Sequence, residues 1–187
     1  VSAQEGPLNQ GITELEALTI QSTPLSSSSS EVTQAWSVVS GEELEKARSA
    51  TIAETLKNQP GIRQTFFGPI ANRPIIRGLD RHRVRILSNG VETFDFSASS
   101  EDHAVSIDPM FIERIELLRG SSALLYGSNA IGGAVNVIDR SIPNHPFDDS
   151  AGAVFRSGYT DVNDGWNAGA FAYAGTDSLS FQINGFE

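Results

Sequence analysis

The sequence predicts an α+β fold in two unlike parts, a small mixed β-sheet with short helices over residues 32–145 and an antiparallel run over 146–187. Three observations carry this. Two Ser/Thr-x-x-Glu patterns, Ser40 with Glu43 and Thr51 with Glu54, open helices that soon meet turn residues. Asn89-Gly90 is a two-residue hairpin signal, and Gly132-Gly133 leads into the apolar run Ala134–Ile138. After residue 150 three segments of roughly ten residues follow one another with Asp, Asn and Gly turns between them, a length typical of membrane-spanning β-strands.

The elements follow in order. Residues 1–31 read as a mobile arm, because the serine run Ser26–Ser30 after Pro24 cannot bury enough apolar surface to offset its ordering entropy. Within the arm, Leu15-Glu16-Ala17-Leu18-Thr19-Ile20 has apolar residues at alternate or adjacent positions. It reads either as a tail that contains leucines or as a short strand that adds to a partner's sheet edge. Val32–Val39 reads as a strand. Leu44 and Ala47 fall in the first helix, Ile52 and Leu56 share a face of the second, and Pro60-Gly61 ends it. Arg73–Gly78 is extended, and Arg83–Leu87 alternates as a strand does. Asp108-Pro109 places an N-cap before a first-turn proline, so Ile112–Arg119 is expected to run from a helical turn into a strand. Gly120–Gly127 reads as one or two helical turns bounded by glycines, and Ala134–Ile138 as a buried strand.

In the last segment Leu179, Phe181 and Ile183 alternate with Ser180, Gln182 and Asn184. The pattern fits a membrane β-barrel strand, and it also fits a soluble meander. Three strands with two open edges would be an aggregation hazard, so the chain is expected to be part of something longer. Val1-Ser2-Ala3 resembles the small-residue end of a secretory signal, from which a removed leader is expected.

Composition bounds the chemistry. The 187 residues carry 13 basic and 23 acidic side chains, a net charge of −10, which argues against nucleic acid as a partner. There is no cysteine, hence no disulfide, thiolate zinc site or cysteine nucleophile. No run approaches the roughly 20 apolar residues of a membrane helix. Gly127–Gly133 lacks the Gly-Lys-Ser/Thr ending of a phosphate loop. No nucleophile elbow, His-Glu-x-x-His pattern or catalytic carboxylate pair stands out, so no enzyme is expected.

Candidate binding residues lie in the loop Phe94–Ala104, which holds an adjacent carboxylate–imidazole pair, Asp102-His103. Zinc takes both donor types in sites of about four ligands, and Glu101 or Asp95 could add to the two. The pair also fits a solvated loop with a local hydrogen bond. His82, between Arg81 and Arg83, reads as surface, and His145 as part of a connecting segment.

Phe111–Gly120, Ala123–Gly127 and Ala130–Ile138, preceded by Thr51–Leu56 with Pro60-Gly61, Ile75-Ile76-Arg77-Gly78 and Arg85–Leu87 with Asn89-Gly90-Val91, resemble in order the plug of TonB-dependent outer-membrane receptors. Ser121 stands where that family usually has Pro. The resemblance implies a plug at 32–145 that gates energised nutrient uptake, the start of a transmembrane β-barrel at 146–187, and a flexible arm at 1–31 in the periplasm. It places a TonB-contacting box at Glu16, Ala17, Leu18, Thr19 and Ile20, for a periplasmic energy-coupling protein. Arg77 and Arg119 are candidates to contact the barrel, their guanidinium forks meeting wall carboxylates, and they also read as exposed sheet-end arginines. Asp102-His103-Ala104, followed by Asp108, is similar to the apical loop of the zinc-importing branch, which implies Asp102 and His103 as ligands and zinc as cargo, with further ligands from the barrel. Other members of the family take iron-siderophores, haem or cobalamin. A soluble periplasmic binding or adaptor module is the alternative from another class.

Overall fold

The computed structural model describes residues 19–20, 27–28, 36–140, 151–161, 164–176 and 179–186. Most of the N-terminal arm, including Glu16–Leu18, and the connecting segment with His145 lie outside the described residues. Within the arm β1 (Thr19–Ile20) pairs antiparallel with β2 (Ser27–Ser28).

The mixed domain begins at β3 (Trp36–Ser40), continues through α1 (Gly41–Ala47) and α2 (Ile52–Thr55), and reaches β4 (Ile62–Gln64), which pairs with β5 (Pro74–Ile76). β6 (Val84–Ser88) turns into β7 (Val91–Glu92), and β8 (Ile112–Leu118) and β9 (Gly133–Asp139) complete the domain. The five-stranded sheet has the order β3-β8-β9-β6-β7, antiparallel except where β6 runs parallel to β9. Val39, Ile115 and Val137 stand opposite one another across three strands on one face, all fully buried. Leu44, Ile52, Leu56, Ile62 and Ile76 close that face into one core. Each such side chain contributes about 1.5–3 kcal/mol on burial.

The other face is polar at its centre. Glu116 and Asn136 are register partners, both fully buried, with Asn136 Nδ2 donating to Glu116 Oε2 at 3.0 Å. Asn136 Oδ1 accepts from Gly90 N at 2.8 Å and so fixes the β6–β7 turn. Asn89 and Gly90 both have positive φ there, 50° and 81°, as the mirror-image hairpin turn requires.

Two expectations need correction. Both helices open where read, and the Thr51 hydroxyl caps α2 by accepting from Glu54 N, but Ser40 makes no side-chain cap bond and the Glu54 carboxylate accepts from Lys57 instead. Asp108-Pro109 opens no helix: Asp108 Oδ1 accepts from Met110 N at 2.7 Å in a local turn, and the chain enters β8 directly. Of the strand read at 32–39, residues 36–39 lie in β3 as expected, and 32–35 lie outside the described residues.

Beyond residue 150, β10 (Ala151–Thr160), β11 (Gly165–Thr176) and β12 (Leu179–Phe186) form an antiparallel meander with continuous register. Its two faces are inverted relative to a soluble sheet. Phe155, Tyr159, Trp166, Leu179, Phe181 and Ile183 are exposed, whereas Arg156, Asn167, Ser180 and Gln182 alternate onto the less exposed face. On that second face Phe171, at 1% exposure, is fully buried.

Candidate functional site

The loop after β7 is held from below. Thr93 returns to β6 through its amide and hydroxyl, both donating to Ile86 O. Asp95 then caps a 3-10 turn, Phe96–Ala98, by accepting from Ser97 N at 3.0 Å. Arg73, just before the core of β5, reaches up with a buried guanidinium that donates to the Asp95 carboxylate and the Ser97 hydroxyl. Arg81 forms an ion pair with Glu101.

Above this base sits the candidate ligand pair. Asp102 Oδ1 lies 2.9 Å from His103 Nδ1 and accepts from the Ser100 hydroxyl, and both side chains are more than half exposed. The Ser100 hydroxyl first and the His103 ring second hold the Asp102 carboxyl below its usual range. His103 lies beside Phe96, ring centroids 6.3 Å apart, and Phe96 packs edge-on against Phe94. Among the described residues no cluster of three or more His, Asp or Glu surrounds the pair. Glu101 and Asp95 are therefore not free supporting ligands, because guanidinium groups already hold both carboxylates. The chain thus offers two donors open to solvent.

Arg77 and Arg119 come together. Each directly follows a strand, β5 or β8, and precedes a glycine of positive φ, Gly78 at 80° and Gly120 at 84°. A methyl group on Gly120 would lie 3.9 Å from Arg77 Nη1. Desolvation first, and the Arg77 charge second, push the Arg119 guanidinium below its ordinary value. Arg119 Nη2 donates to Ser37 Oγ at 3.0 Å, and among the described residues neither guanidinium is paired with a carboxylate. Arg119 is half-buried and Arg77 exposed, so the Arg119 charge stands to gain most from an anionic partner.

The meander meets the mixed domain at a place that sequence reasoning missed. Glu45 Oε1 accepts from Arg48 at 2.9 Å and from Arg156, on β10, at 2.8 Å. Arg48 also donates to the carbonyls of Met110 at 3.2 Å and Ile112 at 3.0 Å. Desolvation raises the Glu45 pKa, but hydrogen bonds from the two arginines and their charges outweigh it, and the carboxyl titrates below its usual value. Beside this cluster Phe111 packs on Phe171, centroids 6.1 Å apart, and a side chain at Gly169 would collide with Met110. A cleft of about 980 Å³ between the two parts is lined by Ile70, Ala104, Asp108, Tyr159 and Asn167. The available signal was Arg156, a charge on the inward side of an otherwise small or apolar alternation.

Comparison with known proteins identifies the family and the fold. The family model described as the TonB-dependent Receptor Plug Domain matches residues 28–134, more than half of the chain. The chain is 32% identical over 161 residues to a protein named Vitamin B12 transporter BtuB from Photobacterium profundum, covering 81% of this chain and 26% of that protein. It is 29% identical over 167 residues to a Hemin receptor of Yersinia pestis, covering 88% of this chain and 24% of that protein. The crystal structure of the siderophore receptor PirA from Acinetobacter baumannii superposes with a TM-score of 0.62 at 24% identity, over 81% of this chain and 24% of that one, and shares the fold. The chain spans about a quarter of the length of these relatives. The α+β domain, with its paired strand-end arginines and its Asn-Gly hairpin, belongs to the plug family of TonB-dependent outer-membrane receptors.

Proposed function

We propose that this chain is the plug and the first barrel strands of an outer-membrane receptor that gates the energised uptake of a metal ion such as zinc. The observation that carries the metal reading is the Asp102–His103 pair, two donors of the types zinc accepts, 2.9 Å apart and exposed on a braced loop. Two ligands bind a metal weakly, so the barrel or its loops would supply the others. The cargo binds above the loop, and the plug beneath blocks the lumen until it is remodelled.

The inverted meander supports the barrel assignment. Apolar side chains are exposed on one face, and Arg156, Asn167, Ser180 and Gln182 share the less exposed face, as lipid-facing and lumen-facing residues alternate in a membrane strand. A soluble adaptor module would leave Phe155, Trp166, Phe181 and Ile183 in water, which is a reason against that alternative. Arg77 and Arg119 would complete their charge balance with carboxylates on the barrel wall. Residues 16–20 would be the box captured by the energy-coupling protein, through strand addition. Ligand binding above would favour release of that arm, and the coupling protein would then pull or remodel the plug.

A second reading has its own support. Phe66, Phe67, Phe94 and Phe96 are exposed on the plug loops, which suits a chelate with an apolar body, such as an iron-siderophore, haem or cobalamin. Calorimetry with zinc on the full-length receptor separates the two. Tight binding that weakens at least about tenfold in Asp102→Ala and in His103→Ala supports the metal. Unchanged affinity in both variants leaves the chelate.

A further inference from the structure

We propose that Arg73 is a positioning residue for the Asp102–His103 pair, an inference that rests on the proposed ligand role of that loop. The Arg73 backbone is fixed on both sides by Thr65, whose hydroxyl accepts from Arg73 N at 2.9 Å and whose amide donates to Arg73 O at 3.0 Å. Its side chain is 4% exposed, and both terminal nitrogens are used. Nη1 donates to Asp95 Oδ2 and Ser97 Oγ, and Nη2 approaches the carbonyls of Arg81 at 3.4 Å and Val84 at 3.5 Å.

A buried ion pair of this kind seldom adds net stability over an apolar packing of the same volume, because both charges are desolvated. What it does supply is geometry: a planar fork addresses a carboxylate and a hydroxyl at once, and it joins three segments at one point. The consequence runs up the loop in short steps. Ser97 is fully buried on this fork. Its neighbour Phe96 accepts at its carbonyl from Ser99 N and Ser100 N, both at 3.0 Å. Ser100 O then accepts from His103 N at 3.3 Å, and the Ser100 hydroxyl donates to Asp102. The two exposed ligands are thereby set by a side chain that touches neither. Pre-ordering them removes an entropy cost that metal binding would otherwise bear.

The test uses the full-length receptor in detergent, with zinc ion alone as the probe. Two readouts are taken, calorimetric affinity and amide hydrogen exchange without metal. In Arg73→Gln affinity should fall by about 10-fold to 100-fold, the range found when supporting partners of metal ligands are removed. Exchange should rise across residues 96–103 while β8 and β9 stay protected. Arg73→Lys, with the charge but no fork, should fall between Gln and wild type. Wild-type affinity together with wild-type loop protection in Arg73→Gln overturns the proposal, as does exchange that rises equally in β8 and β9. Should Arg73→Gln fail to fold, Ser97→Ala decides: loosened 96–103 amides and weaker binding support the assignment, and no change in either overturns it. If the wild-type receptor binds no zinc, the metal reading has failed, and loop protection in Arg73→Gln alone decides the positioning role, lost in support and retained in refutation.

Discussion

Arg156 on β10 donates to Glu45 on α1 at 2.8 Å, joining the meander to the plug through a carboxylate that also holds Arg48. Arg48 in turn grips the carbonyls that lead into β8, so one carboxylate couples the first barrel strand of the proposed receptor to the loop leaving the candidate ligand site. Removing either arginine's claim on Glu45 should loosen this junction. Arg156→Glu sets two carboxylates side by side and should raise amide exchange over residues 41–48, whereas Arg156→Lys, which keeps the charge beside Glu45, should stay near wild type. The pair is partly exposed, so the expected coupling is about 0.2–1 kcal/mol.

The same carboxylate sets a pH dependence. The folded state holds Glu45 below its ordinary value of 4.5. Its contribution is therefore fully present above that value and is lost as the pH falls through the depressed folded value. Exchange over residues 41–48 should be flat from neutral pH to about 5, after correction for intrinsic rates, and should rise only in more acidic solution. In Glu45→Gln this acid-induced rise should be absent.

Gly133 is where the plug core tolerates no side chain. Its φ is +148°, and a methyl there would come within 2.6 Å of Leu118 O and 3.0 Å of Ile76 Cδ1. Gly133→Ala must displace backbone as well as a core side chain, and a cost of about 1–3 kcal/mol is expected in a urea unfolding midpoint. Gly185→Ala, with open space around it, serves as the control.

Much of the plug could be read along the chain because its signals are local. The Asn89-Gly90 turn, the Thr51 cap and the alternation of β12 each depend on residues within a few positions. The contacts that organise the candidate site are separated by tens of residues, Arg73 to Asp95 and Glu45 to Arg156 among them, and no periodicity encodes them. Glu101 and Asp95 show the limit. As residue types they suit a metal, and only the fold reveals that Arg81 and Arg73 already hold them. Asp108-Pro109 failed for a related reason: an aspartate that caps a helix also closes a two-residue turn, and the β8 pairing selects the turn.

The arm carries a separate prediction. Removing residues 15–20 should abolish energy-dependent uptake by the full-length receptor while leaving the affinity for its cargo within about twofold, since the candidate site does not include them. Uptake that persists without these residues would place the coupling contact elsewhere.

Energised zinc accumulation tests the account most directly. Cells whose zinc uptake depends on the full-length receptor are compared with cells carrying the Asp102→Ala or the His103→Ala variant, with and without an energised inner membrane. Accumulation that requires energy and falls at least about tenfold in both variants is the expected result. Zinc accumulation that is indifferent to both side chains, or that continues without energy, would contradict it.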